Sequence, residues 1–425
     1  MERNSDLYKK YVEIMKKELM PAMGCTEPIA ISYASAKARD VLGKMPEKVV
    51  VEASGNLIKN VKSVTVPNTE GLKGIEAAAA AGIVAGKSEK LLEVISEVSD
   101  EQKHEIKEFL EKNIISVQIA QSDIVFDLIV TLTAGEDCVS VRIVNEHTNI
   151  VMIEKNGEKL VDKPLGCGAS DSDEENVLSV EGILDFAKTC EIDDVREIIK
   201  RQIDYNTAIA DEGIEHAWGA NVGKIILNSN DKNDVRVRAK ARAAAGSDAR
   251  MSGCEMPVVI NSGSGNQGIT VSVPIIEYAK ELHSTEEELY RALIMANLLG
   301  LHQKAGIGRL SAYCGAVSAG CAAGAGIAYL MHESDRVIEH AIVNCLAITS
   351  GIICDGAKPS CAAKIASSVD AALLALEMAK QDQQFRGGEG IVKKGIENTI
   401  VSVGRLGKDG MRETDKEILR IMVES

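Results

Sequence analysis

The sequence predicts an α+β fold: an N-terminal mixed domain around a mainly antiparallel sheet, then a mainly helical C-terminal domain that contains Cys314, Cys354 and Cys361. Three observations lead there. Between Ile115 and Val161 the segments ISVQIAQS, FDLIVTLTAG, CVSVRIVNEH and IVMIEKNG alternate or run apolar between turn residues, as strands of an antiparallel sheet do. In the second half, apolar residues recur at helical spacing in one long segment after another. Aromatic residues make up only 3% of the chain, so Ala, Val, Ile and Leu must fill the interior, and elements must approach closely.

In order along the chain, residues 7–20 and 27–42 carry the helical period. KVVVEASG and SVTVPN read as short strands, and the stretch from GIEAAAAAGIVAG to KNI reads as two or three helices. The sheet segments follow. KPLGCGASDSDEEN, residues 163–176, is rich in Gly, Ser and acid and has no period. It is read as a linker, with domains at 1–170 and 171–425. Helices are then expected over 179–215, 235–245, 276–301, 310–331, 335–351 and 360–380. The uncharged stretch Ser311 to Met331 is long enough to cross a bilayer. It is built mainly of Ala, Gly, Ser and Cys, which present little apolar surface, so a packed internal helix is expected and a membrane span rejected.

A formal charge of −15, spread along the chain without a basic stripe, argues against nucleic acid as a partner. The N-terminal residues alternate charged and apolar side chains and lack the apolar core of a signal peptide, so the cytoplasm is the expected location. There, ten cysteines are expected as free thiols. The expected partner is a small molecule, with self-association left open.

The motif of greatest chemical interest is GIICDGAKPSCAAKIA, where Cys354 and Cys361 flank a turn and Cys361 is placed to open a helix. That spacing lets two thiolates converge while a helix N-terminus stabilises their charge. Cys314, near the start of another small-residue helix, could supply a third. Three cysteines on a four-iron cluster leave one iron free to bind substrate. Core packing is the competing reading of all three. Zinc would need a further ligand such as His302, His332 or His340.

Cys25, in Gly24-Cys25-Thr26-Glu27-Pro28, sits where the proline marks a helix start, and could serve as a base or nucleophile, with Thr26 beside it as a substrate contact. NSGSGNQGITVSVPI holds a formal GxGxxG at Gly263, Gly265 and Gly268. Because β-branched residues and Pro274 follow, no helix is expected there, and the dinucleotide reading is set aside. Ser262, Ser264, Asn266 and Gln267 could instead grip a small carboxylate. His302, with Gln303, Lys304 and Arg309, could line the same pocket. His147 and His216 read as structural. A pyridoxal phosphate enzyme would need a Schiff-base lysine, for which Lys358 and Lys364 are the candidates.

Together GCTEPIA, NSGSGNQGI, LHQKAGIGRLSAYCGA and GIICDGAKPSCAAKIA resemble the L-cysteine desulfidase family, a relative of the iron–sulfur-dependent L-serine dehydratase alpha subunit. The resemblance covers nearly the whole chain. It implies a [4Fe–4S] cluster on Cys314, Cys354 and Cys361, Cys25 as proton acceptor, and a carbon–sulfur lyase that converts L-cysteine to sulfide, ammonia and pyruvate. An L-serine dehydratase and a non-catalytic amino-acid or iron–sulfur binding protein are the alternatives. In the bacterial dehydratases a C-terminal cysteine can occupy the fourth iron, whereas this chain ends in Val-Glu-Ser.

Overall fold

A computed structural model describes residues 1–165 and 177–424. Of the expected linker only residues 163–165 are among them, and the boundary at 170/171 lies outside the described residues.

The N-terminal half opens with α1 (Asp6–Glu18), β1 (Pro21–Met23) and α2 (Thr26–Leu42). β2 (Lys48–Ala53) is followed by α3 (Gly55–Val61), α4 (Gly74–Ala85) and α5 (Asp100–Glu111). Next come β3 (Ile115–Ile119), β4 (Asp127–Ala134), β5 (Asp137–Val144), β6 (Ile150–Lys155) and β7 (Glu158–Asp162). Strands β2 to β7 form one sheet in the order β3-β2-β4-β5-β6-β7. Only β2 and β3 run parallel, so the sheet is mainly antiparallel as expected. The hairpin between β6 and β7 turns on Asn156 and Gly157, at φ 52° and 84°, the conformation for which Asn-Gly is the favoured pair. SVTVPN forms no strand; it contributes one isolated bridge, Thr65 to Lys73.

Helix α2 lies on β4 and β5 and packs along α4. The approach is so close that a Cβ on Gly82 would sit 2.2 Å from the Ser32 carbonyl oxygen. This is how an interior poor in aromatics reaches full density.

The C-terminal half is helical: α6 (Val180–Thr189), α7 (Arg196–Glu215), α8 (Val222–Ser229), α9 (Val235–Met251), then β8 (Pro257–Val259). There follow α10 (Gly265–Glu281), α11 (Glu286–Ala305), α12 (Gly315–Leu330), α13 (Asp335–Thr349), α14 (Cys361–Lys380), α15 (Ile396–Arg405) and α16 (Arg412–Glu424). The α+β layout expected from the sequence is therefore observed. α12, the uncharged segment, is buried among α10, α11, α13 and α14, and no helix of the described residues is long and apolar enough to cross a membrane.

α10 corrects one expectation. The glycines do open a helix, which runs through Ile269–Val273 and contains Pro274. Almost every residue from Gly265 to Ala279 is buried, and that packing outweighs the weak helix preference of β-branched residues. The preceding strand β8 pairs only with β1, so no dinucleotide-binding βαβ unit results.

The short β1–β8 pairing positions the site. Pro21, Ala22 and Met23 lie opposite Val259, Val258 and Pro257, and the Ile260 N–H donates to the Met20 carbonyl at 2.9 Å. The chain leaves β1 directly into the start of α2 and leaves β8 directly into the start of α10. Two helix N-termini from distant parts of the sequence are thereby set side by side.

Candidate active site

Four helices begin at one cleft. Cys25 is the N-cap of α2, Ser264 of α10 and Cys314 of α12, while Cys361 is the first residue of α14 after its N-cap Ser360. None of these four caps bonds its side chain to its helix. Uncapped first-turn N–H groups and four positive dipole ends therefore favour negative charge in the space between them. The cavity between them is about 100 Å³ and is lined by Cys25, Glu27, Ser264, Cys314, Cys354 and Cys361, with Asn60, Arg250, Asn266, Gln267, Lys304 and Arg309 also on its polar wall.

Local backbone pairing brings the three thiols together. Tyr313 and Ile353 form an antiparallel bridge; the Cys314 N–H donates to the Ile352 carbonyl at 3.1 Å and the Cys354 N–H to the Ala312 carbonyl at 2.6 Å. Cys354 then enters the turn to Cys361. Asp355 in that turn is paired with both Lys358 and Lys364, so the two lysines considered for a Schiff base serve to brace it. Gly356 adopts φ +94°, and a Cβ there would lie 2.7 Å from the Lys59 carbonyl, so the turn rests on α3. Burial first, then the neighbouring Cys354, pushes the Cys314 thiol up to about 12, and burial raises Cys361 as well. Three thiols this close repel one another as thiolates, and a cation among them would relieve that repulsion. Among the described residues no three His, Cys, Asp or Glu side chains converge on a single-ion site.

Ser264, Asn266 and Gln267 reach the cleft. Asn266 Oδ1 accepts from Arg250 Nη1 at 3.0 Å, and Gly315 makes room for Gln267, whose Cδ would be 2.6 Å from a Cβ. Thr26 and Ser262 act one layer back. Thr26 Oγ1 donates to the Gly263 carbonyl at 2.8 Å and so ties the α2 start to the glycine loop, where Ser262 (φ 50°) and Gly263 (φ 75°) both take the left-handed conformation. His302 is placed elsewhere: its Nε2 meets Glu397 Oε2 at 2.7 Å, where α11 faces α15. Two helical residues further on, Lys304 points the opposite way, into the cleft.

Glu27 lies within the GCTEP motif but the sequence assigns it no role of its own, and Asn60, Arg250 and His147 stand outside the four motifs. Arg250 offered one signal, a cation inside the small-residue helix ARAAAGSDARM, and it is 3% exposed. His147 is buried against Phe126, at 4.8 Å between ring centres, and its Cε1 lies 3.1 Å from where a Gly263 Cβ would be. Burial lowers it to about 4, so it is neutral near pH 7. Burial works to raise Glu27, but His147, the Cys25 hydrogen bond and Arg250 together hold it below its usual value. With His147 neutral, the hydrogen bonding and Arg250 are the causes that operate near pH 7. Cys25 Sγ donates to Glu27 Oε2 at 3.0 Å; burial and that carboxylate keep the thiol protonated. Lys304 is lowered to about 8 by burial, against the pull of Cys354 and Cys314.

The family described as serine dehydratase alpha chain matches residues 89–420. A UPF0597 protein of Desulfitobacterium hafniense is 59% identical over 424 residues, covering 100% of this chain and 98% of its own. UPF0597 proteins of Lachnoclostridium phytofermentans (51% over 417 residues, 98% and 100% covered) and Treponema denticola (45% over 430 residues, 100% and 100%) align equally fully. On the extent of that match, and in keeping with the resemblance carried by the motifs, the chain belongs to the serine dehydratase alpha chain family.

Proposed function

We propose that the protein is an amino-acid lyase that eliminates the β-substituent of a small L-amino acid, L-cysteine first among them, with Cys314, Cys354 and Cys361 holding a [4Fe–4S] cluster. One observation carries the reading: three unbonded thiols and a fourth, Cys25, are drawn from distant parts of the chain to one cleft at the starts of four helices. Bound there, the cluster would supply a Lewis-acidic iron for the β-substituent, and its net negative charge suits four helix N-termini.

The chain's own groups account for the rest. The first turn of α10, Asn266 and Arg250 orient the substrate carboxylate. Once Cys25 has lost its own proton to bulk water, the α-proton passes from Cα to the Cys25 thiolate as the electrons of that bond form the Cα–Cβ double bond. The Cβ–S bond breaks, and its electron pair leaves with sulfide. The aminoacrylate released tautomerises and takes up water to give pyruvate and ammonia. The family description favours L-serine as the second reading, in which water leaves in place of sulfide.

Anaerobic reconstitution with iron and sulfide, followed by parallel assays on L-cysteine and L-serine without pyridoxal phosphate, tests this. Pyruvate formed with an equal amount of sulfide supports the desulfidase, and pyruvate from serine alone supports the dehydratase. Protein that is active yet free of iron overturns the cluster, and loaded protein that binds cysteine without turnover marks a binding protein.

A further inference from the structure

We infer that Glu27 and Asn60 form the subsite for the substrate's α-ammonium group, so that the cleft recognises a free amino acid at both ends. The inference rests on the amino-acid lyase reading above and adds the residues that would select the amine.

The wall of the cleft is divided by charge. On the α9, α10 and α11 side stand Arg250, Lys304 and the open N-terminus of α10, all of which attract an anion. The only carboxylate lining the cleft, among the described residues, comes from the α2 side: Glu27, 9% exposed, at the start of that helix. An anion buried beside three thiols and a thiol base works against any negative charge gathered there. Arg250 supplies part of the counter-charge, and the remaining acceptor capacity of Glu27 is open to a second cation.

The hydrogen bonds show where that cation would sit. Glu27 Oε1 accepts from Asn60 Nδ2 at 3.1 Å, and Oε2 accepts from Cys25 Sγ at 3.0 Å. Thr26 Oγ1, 3.2 Å from Oε2, has one hydrogen and spends it on the Gly263 carbonyl at 2.8 Å. A carboxylate offers about four lone-pair sites, so Glu27 retains acceptor capacity. The bond to an ionised carboxylate also fixes the orientation of the Asn60 amide, because only its nitrogen can donate. Asn60 Oδ1 therefore turns away from Glu27. It is buried, without a partner among the described residues, and 3.8 Å from where a Gly356 Cβ would stand, next to the turn joining Cys354 to Cys361.

The Asn60 amide oxygen and the Glu27 carboxylate thus each keep an open acceptor position at this wall of the cleft. A primary ammonium carries three N–H groups and a positive charge, and so satisfies both at once. A ligand with hydrogen in place of the amine leaves Glu27 buried and unmatched. Free α-amino acids are thus the substrate class, and N-acylated or des-amino analogues are excluded.

The test uses two ligands that cannot be eliminated in the proposed reaction or differ only at the amine: 2-methyl-L-cysteine, which lacks the α-proton, and 3-mercapto-2-methylpropionate, which has hydrogen where the amine was. Each is titrated calorimetrically, under anaerobic conditions, into the iron- and sulfide-reconstituted full chain. The wild-type protein should bind the amine-bearing ligand about tenfold more tightly or better, the size expected for a charge-assisted hydrogen bond. Glu27→Gln, nearly isosteric, should remove most of that preference while leaving the affinity for the des-amino ligand within about twofold. Asn60→Leu should reduce the preference by several-fold and carries the test if Glu27→Gln does not fold. Equal binding of the two ligands by wild type overturns the inference, as does an undiminished preference in either folded variant. Because the readout is binding and not product formation, the outcome is separate from the L-cysteine assay. A chain without lyase activity that still prefers the amine fails the first proposal and keeps this one.

Discussion

Cys25 is subject to opposing influences. As the N-cap of α2 it feels a dipole that favours the thiolate, yet burial first and the Glu27 carboxylate second push it well above its usual 9.0. Burial is the larger influence, so the resting group is a thiol donating to Glu27. A proton acceptor must be deprotonated, and its pKa lies above the working range. With Cys25 as base, kcat/KM for L-cysteine should rise about tenfold per pH unit between pH 7 and 9. Cys25→Ala should lower kcat/KM by at least about 100-fold and abolish that slope. An assay series in matched anaerobic buffers checks both. At the cluster cysteines, Cys354→Ser should lower iron retention and the visible absorbance of reconstituted protein, measured by metal analysis beside the spectrum. Legibility at this scale followed local setting. Residue type does not separate Cys25, Cys314, Cys354 and Cys361 from the other six cysteines; their places at turns and helix starts, and the four-motif resemblance, do. Asn60 is an ordinary polar residue until the fold turns it inward, and Arg250 offers only the signal of a cation within a small-residue helix. His302 was misplaced by position in sequence: it is near Lys304 along the chain, but two residues on a helix turn it away from the cleft.

The elements that matter most here are helix starts and the turns that lead into them. The turn from Cys354 to Cys361 is held against α3 by the close approach of Gly356 to Lys59, and α3 is in turn tied to α16 by the buried ion pair between Lys59 and Asp415. Gly356→Ala meets both a backbone clash and a left-handed φ of +94°, whereas Gly43→Ala, at the C-terminal end of α2 with φ +78°, meets nothing within 4 Å. Each should cost roughly 1–3 kcal/mol of strain. Only Gly356→Ala should also release iron, because only there must the turn carrying the ligands shift. Melting temperature and iron content of the two variants, side by side, check this. The β6–β7 hairpin was legible from Asn-Gly, whereas the single helix expected over 276–301 is broken between Glu281 and Glu286, where Thr285 and Glu288 form a reciprocal capping box that opens α11. α10 was hidden because its β-branched run and Pro274 describe a poor helix in isolation, and only its complete burial makes it a good one.

At the scale of the whole molecule, the site depends on a pairing of three residues with three, β1 on β8, that no sequence period reveals. That pairing brings the starts of α2 and α10 together, as the Tyr313–Ile353 bridge does for Cys314 and Cys354. Stability of the folded chain against pH is likewise set by buried groups far apart in sequence, and they act in opposite directions. His147 is lowered from 6.5 to about 4, so between those values the unfolded chain binds more protons and stability falls as pH falls. Glu27, held below its usual 4.5, adds to that loss in stronger acid. Asp248 has the opposite sign. It is buried in α9, accepts the Gly223 N–H at 3.0 Å on Oδ2, and leaves Oδ1 without a partner. Burial raises it from 3.8 to about 6, against the backbone hydrogen bonds of Gly223 and Val222. Between those values the folded chain binds more protons, so the stability it contributes is complete below 3.8 and lost as pH climbs through about 6. Asp248→Asn keeps an oxygen for the Gly223 N–H and removes the charge. Near pH 3.8 and below, variant and wild type should melt together. From there to about pH 6 the variant should gain progressively, and above it the gap should stay constant at a few degrees. Scanning calorimetry of both proteins from pH 4 to 8 decides it; a gap that is already full at pH 4 would mean that Asp248 is ionised there in the folded chain.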